Sequence, residues 1–260
     1  MSMSAAFAAA AAEPTATAVR TETDVAYADR PGCVLDVRVP EDATNFPTVV
    51  WFHAGGLTGG SRHFLALADA GIAQVAADYR LLGRDAATGE DCIADAAAAV
   101  AWTLARVADW GGDTNRVFVA GHSAGGYLAM MVGMNPKWLA AHGVKNTALA
   151  GVVAVSGQAT THFAVRKFSG DDDPQFRPRI DALAPLAHVS ADLPPILCIC
   201  GQPPFEWKAR AEENRFLVAS CEALGHPAAR YVELPRCDHS HAAAASLPYL
   251  ERFVREGRLP

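Results

Sequence analysis

An apolar run at residues 116–120 (Arg-Val-Phe-Val-Ala) leads straight into Gly121-His122-Ser123-Ala124-Gly125, and apolar residues then recur at helical spacing to residue 134. A chain that passes from strand to helix across so few residues must turn sharply, and small residues let the backbone pack there. Ser123 is then held at the tip of the turn, with a helix N-terminus beneath it. In this strand–turn–helix setting, G-x-S-x-G marks a strained elbow that presents a nucleophilic serine. The plainer alternative is a tight turn with no chemistry.

The rest of the chain supplies a sheet for that turn. Apolar runs at residues 34–39, 48–52, 72–79, 149–156, 195–200 and 230–234 predict further strands. Helical spacing predicts helices over residues 92–108, 124–134, 210–224 and 247–256. Strands alternating with helices imply an α/β fold with a mostly parallel sheet covered on both faces. A chain of 260 residues fits one such domain, which is expected over residues 21–260. Residues 1–20 are alanine-rich and read as a disordered tail or the remnant of a signal peptide, so the location is either cytoplasmic or secreted. Residues 160–192 are polar and irregular, and a short cap fits there.

Composition removes several classes of function. Lys and Arg number 22 against 28 Asp and Glu, a net charge of −6 with no basic block, which argues against a nucleic-acid partner. No apolar run reaches the length of a membrane-spanning helix. Cys33, Cys92, Cys198, Cys200, Cys221 and Cys237 are too sparse for a disulfide scaffold and wrongly spaced for a metal site, so buried thiols and no metal are expected.

Two further stretches carry candidate chemistry. His53-Ala54-Gly55-Gly56 follows the apolar run at 48–52 and resembles the H-G-G-G loop whose amides receive a developing oxyanion. The expected donors are the N–H groups of Gly55, Gly56 and Ala124, with His53 anchoring the loop. For an elbow serine the partners follow in the order acid, then histidine. Among nine histidines, His239 and His241 lie in the loop after the last predicted strand. The loop after residues 195–200 reads Gly201-Gln202-Pro203-Pro204-Phe205-Glu206-Trp207, and Glu206 is its carboxylate. Glu212 and Glu213 lie further on, in the predicted helix, where a solvated face is expected.

Together these residues resemble the α/β-hydrolase superfamily on its carboxylesterase side. The likeness is to small, lid-poor bacterial esterases of the acetyl-xylan and feruloyl-esterase-like branch, and more distantly to arylformamidases. It is carried by the His53 loop, Asp78-Tyr79-Arg80-Leu81, Asp95, Trp110-Gly111-Gly112-Asp113, the Ser123 elbow and Asp238-His239. Two departures stand out: Ala54 replaces the usual glycine, and no G-x-x-D supplies the acid.

The resemblance implies the α/β-hydrolase fold, with a twisted sheet of about eight strands and a minimal cap. It favours His239 over His241 as the base, with Glu206 as the acid, and implies a cofactor-free acyl transfer through Ser123. The expected substrate is a short-chain acyl or small aryl ester, hydrolysed by a monomer or homodimer. An arylformamidase-like amide hydrolase and a non-catalytic binding protein are the alternatives. His53, His122, His162, Phe163 and Trp207 are candidate pocket walls; Arg166 and Lys167 are expected on an ordinary charged lid surface, with contact to an anionic group as the alternative.

Overall fold

The computed structural model describes residues 18–67 and 71–257. Its strands are β1 (Val19–Ala26), β2 (Val34–Pro40), β3 (Phe46–Phe52), β4 (Ala73–Ala77), β5 (Gly112–His122), β6 (Gly151–Val155), β7 (Ile196–Gly201) and β8 (Ala229–Leu234). They form one sheet in the order β1-β2-β4-β3-β5-β6-β7-β8. β2 pairs antiparallel with both β1 and β4, and every pairing from β4 to β8 is parallel. The helices are α1 (Gly89–Leu104), α2 (Ala124–Met134), α3 (Pro136–Ala140), α4 (Phe163–Phe168), α5 (Arg210–Ala223), α6 (Ala242–Ala245) and α7 (Leu247–Glu256).

The central strands are buried on both faces, which is why they read as unbroken apolar runs. Alternate residues serve two cores, as the two-residue repeat of a strand requires. Val50, Phe52, Val117, Val119, Val152, Ile196 and Cys198 face a core shared with α1, α2 and α5. Val49, Trp51, Phe118, Val153, Val155, Leu197 and Ile199 face a second core with Leu250, Phe253 and Val254 of α7. All six cysteines are buried and free.

Local chemistry sets the ends of the elements. Thr88 caps α1: its hydroxyl accepts the Asp91 N–H, and the Asp91 carboxylate accepts the Thr88 N–H. Such a reciprocal cap stabilises a helix by about 1 kcal/mol. It starts α1 three residues before the expected start at 92. β1 has no sequence signature, because most of its residues are exposed and polar. It begins inside the stretch expected to be a tail, and residues 1–17 lie outside the described residues. The 160–192 segment, where a short cap is expected, holds α4, a short 3-10 helix at Pro185–His188 and turns. Among the described residues, no helix is long and apolar enough to cross a membrane.

The parallel strands end on one edge of the sheet. His53 follows β3, Ser123 follows β5, Ser156 follows β6, Glu206 lies beyond β7 and His239 beyond β8. An open α/β sheet places its binding crevice at this edge.

Candidate active site

Ser123 sits between β5 and α2 with φ 55° and ψ −114°, a conformation that non-glycine residues seldom adopt. Its N–H donates to the Val155 carbonyl at 2.8 Å, which pins the turn to the neighbouring strand. The flanking glycines are required by close approach. A Cβ on Gly121 would stand 2.3 Å from the Gly125 carbonyl carbon, and one on Gly125 would stand 2.0 Å from the Phe52 carbonyl oxygen. The second contact brings the end of β3, and hence the His53 loop, against the first turn of α2.

Ser123, His239 and Glu206 form an unbroken hydrogen-bonded chain. Ser123 Oγ lies 2.9 Å from His239 Nε2, and His239 Nδ1 lies 2.7 Å from Glu206 Oε1. Glu206 is buried and well supplied with donors. Its Oε2 accepts the Ser156 hydroxyl at 2.5 Å and the Gly201 N–H at 2.8 Å, and its Oε1 accepts the Trp207 N–H at 2.7 Å. Burial alone pushes this carboxyl up, but the bonds from His239, Ser156 and Trp207 outweigh it and hold the pKa at about 2. An ionised Glu206 accepts from His239 Nδ1–H, which leaves Nε2 free to accept from the Ser123 hydroxyl.

The loops after β7 and β8 are locked together. Gln202 N–H donates to the Cys237 carbonyl at 3.1 Å, and Arg236 N–H donates to Gln202 Oε1 at 3.0 Å. His241 points to solvent and bonds Asp238 at 2.8 Å, away from Ser123. Glu212 is exposed, as expected for a solvated helix face. Glu213 is not: it accepts the Ala159 N–H and the Thr160 hydroxyl, so it pins the segment after β6.

The loop after β3 carries Gly55 and Gly56 at φ 128° and 64°. Its own turn uses the Gly55 carbonyl, which accepts from the Thr58 and Gly59 N–H groups at 3.1 and 3.0 Å. His53 anchors it: Nδ1–H donates to the Ala54 carbonyl at 2.6 Å, and the ring stacks 4.4 Å from Tyr79. The Tyr79 hydroxyl in turn donates to the His53 carbonyl at 3.1 Å. Burial pushes the His53 pKa down.

The remaining expected pocket residues divide by contact. Phe163 and Trp207 flank the chain of hydrogen bonds: Trp207 meets His239 edge-on at 5.1 Å, and Phe163 lies 5.9 Å from Trp207. The Phe163 ring also reaches within 3.7 Å of where a Gly56 Cβ would stand. His162 lies behind Phe163, fully buried, and its Nδ1 accepts the Ala164 N–H at the start of α4. His122 is buried beside His239. Arg166 is neither a lid cation nor free for a ligand. It is buried, paired with Asp171 at 2.7 Å and bonded to the Arg177 carbonyl. Lys167 is exposed. Ser156 has no motif of its own, and only strand register reveals its place.

Several known proteins resemble this chain. Over 244 residues the chain is 29% identical to esterase LipC of Mycobacterium tuberculosis, covering 83% of this chain and 58% of that protein. Over 111 residues it is 33% identical to the probable isoprenylcysteine alpha-carbonyl methylesterase ICMEL1 of Oryza sativa, covering 40% of this chain and 26% of that protein. The chain thus spans between about a quarter and three-fifths of these curated relatives' lengths. The solved structure of Thermogutta terrifontis esterase 2 superposes with a TM-score of 0.71 at 22% identity, covering 94% of this chain and 96% of that one. This likeness shows the shared α/β-hydrolase fold. The BD-FAE family model matches residues 35–203, more than half of the chain, and the protein belongs to the BD-FAE family.

Proposed function

We propose that this protein is a serine carboxylic-ester hydrolase acting on short-chain acyl or small aryl esters. The observation that carries the reading is the Ser123–His239–Glu206 chain, set on an elbow beside the Gly55–Gly56 loop. Ser123 Oγ attacks the ester carbonyl while its proton passes to His239 Nε2. The carbonyl oxygen becomes an oxyanion against the N–H groups of Gly55, Gly56 and Ala124, each such donor stabilising it by roughly 3–4 kcal/mol. Glu206, ionised, holds Nδ1–H and stabilises the imidazolium. The C–O bond to the alcohol then breaks, and His239 returns its proton to the departing oxygen. Water attacks the acyl-enzyme by the same route and releases the acid. No group outside the chain is required by these steps. The support for short substrates is the pair of rings, Trp207 against His239 and Phe163 against the Gly56 loop.

The test is burst kinetics on p-nitrophenyl acetate and butyrate with wild type beside Ser123→Ala, together with fluorophosphonate labelling. A serine-dependent burst with labelling of Ser123 is expected. Absence of both, in folded protein, would overturn the reading in favour of a binding protein. Faster turnover of N-formylkynurenine than of the esters would move it to an amide hydrolase.

A further inference from the structure

The Asp78-Tyr79-Arg80-Leu81 stretch follows β4, the strand beside β3. With the next residue, Leu82, it meets the loop of residues 53–62 at its start, middle and end. Tyr79 holds the start, through its bond to the His53 carbonyl and its stacked ring. The Leu82 N–H donates to the Leu57 carbonyl at 2.8 Å in the middle. Asp78 holds the end at two points. Its Oδ1 accepts the Arg62 main-chain N–H and its Oδ2 accepts Arg62 Nη1–H, both at 2.6 Å.

Arg62 also gathers carboxylates from the edge of the sheet. Its Nε lies 2.9 Å from Asp36 Oδ1 on β2, and its Nη2–H donates to Asp24 on β1. Asp24 sits at φ 58° where the β1–β2 register shifts, and its N–H donates to Asp36 Oδ1 at 2.8 Å. A shift of this kind re-aims a side chain, here toward Arg62. The side chains of Arg62 and Asp78 are only 17% and 19% exposed, so salt screens their pairing less than it would a surface pair. The segment that carries Asp78 is fixed in turn. The Asp78 N–H donates to the Val34 carbonyl at 3.0 Å, and its carbonyl accepts the Tyr27 hydroxyl at 2.8 Å. Arg80 bonds the buried Asp95 of α1 at 2.7 and 2.9 Å.

The loop's own turn spends the Gly55 carbonyl. Among the described residues, no carbonyl or side chain accepts the N–H of Gly55 or Gly56. Free donors stabilise a developing charge only when their directions are set beforehand. We propose that Asp78 is a positioning residue for the oxyanion: by closing the loop through Arg62, it fixes where the Gly55 and Gly56 N–H groups point. This rests on the ester-hydrolase reading, in which those groups receive the negative charge. Through Asp24 and Asp36, the edge strands β1 and β2 become a brace for the site.

The test is Asp78→Ala on p-nitrophenyl acetate. A loop released at its far end should lower kcat roughly 10–100-fold while KM stays within about twofold. 2,2,2-Trifluoroacetophenone reports the oxyanion directly. Ser123 Oγ adds to its carbonyl carbon, the serine proton passes to His239, and the carbonyl oxygen becomes the oxyanion. Its Ki should rise by the factor by which kcat/KM falls. The acid limb of the kcat/KM profile reports the base and should stay in place. A contact that served stability alone would lower the melting temperature and leave the kinetic values unmoved. Asp78→Asn keeps an acceptor for Arg62 and should restore most of the rate. If Asp78→Ala fails to fold, Arg62→Lys keeps the charge without the two-point contact and should show the same split, reduced to several-fold.

In folded Asp78→Ala, an unchanged kcat, a rise in KM alone or a displaced acid limb overturns the positioning role, and wild-type turnover leaves the esterase reading standing. Folded wild type that hydrolyses no ester refutes the esterase reading and the positioning role with it.

Discussion

His122 Nε2–H donates to the main-chain carbonyl of His239 at 2.8 Å, and the two imidazoles lie 5.0 Å apart. The residue immediately before Ser123 thus holds the backbone of the residue whose ring bonds Ser123. Burial, and then the nearby His239, push the His122 pKa down to about 4. At neutral pH it is an uncharged donor, and it sets no cation beside the imidazole of His239.

His122→Phe keeps a buried ring and removes the donor. The His239 carbonyl then loses its partner, at a cost of about 1–3 kcal/mol. Part of that loss falls on the transition state, so kcat should drop roughly 10-fold with KM nearly constant. Steady-state rates on p-nitrophenyl acetate check this, and an unchanged kcat would show that the loop is fixed by other contacts.

Glu206 ties stability to acid pH. Its carboxyl is held at about 2, below its ordinary 4.5. The ionised form therefore stabilises the fold above pH 4.5, and this contribution, about 3 kcal/mol, is lost as pH falls toward 2. Glu206→Gln should flatten the stability curve in that window, measured by denaturant unfolding from pH 7 to pH 2.5. It should also lower kcat by about 10³–10⁴-fold, because an amide does not hold the imidazole tautomer as a carboxylate does. A full rate with an unflattened curve would rule out Glu206 as the acid.

Gly201 joins the loops that carry Glu206 and His239. A Cβ there would stand 2.4 Å from the Cys237 carbonyl oxygen and 3.1 Å from Glu206 Oε2. Gly201→Ala must push the two loops apart, although the residue donates no group to the reaction. A destabilisation of about 1–3 kcal/mol and a loss of kcat of roughly 10-fold or more are expected. Thermal melts and burst kinetics report them separately, and wild-type values for both would mean that the loops can shift freely.

What was legible in the sequence follows from physical pattern. The strand before Ser123 and the helix after it were readable because both are buried and apolar, and α2 spans the expected residues. Glu206 was readable by its distance from a strand end, despite the missing aspartate. The pairing of His239 rather than His241 with Ser123 rested on resemblance, since two histidines separated by one residue look alike in composition. β1 was hidden because an exposed edge strand leaves no apolar repeat. Arg166 is buried rather than on a lid surface, because a cation in a polar stretch shows its burial only once its partner Asp171 is seen against it. Tertiary partners of this kind leave no trace in local spacing.

Ser156 is such a partner, and its effect is measurable. It follows β6 with φ 47°, its N–H donates to the Ile199 carbonyl at 2.7 Å, and its hydroxyl donates to Glu206 Oε2 at 2.5 Å. Ser156→Ala removes one of the donors that hold the Glu206 carboxyl low, so that carboxyl should rise toward its ordinary value. Stability at pH 7 should fall by about 1.5–3 kcal/mol, the worth of a hydrogen bond to a charged group. The acid-dependent loss between pH 4.5 and 2 should shrink with it, since less of the stabilisation remains to be lost. Glu206 keeps its bonds to Gly201 and His239, so kcat should fall only several-fold, far less than in Glu206→Gln. The same unfolding series and steady-state rates read all of these. Unaltered acid dependence would show that His239 and the backbone donors suffice to hold Glu206 ionised.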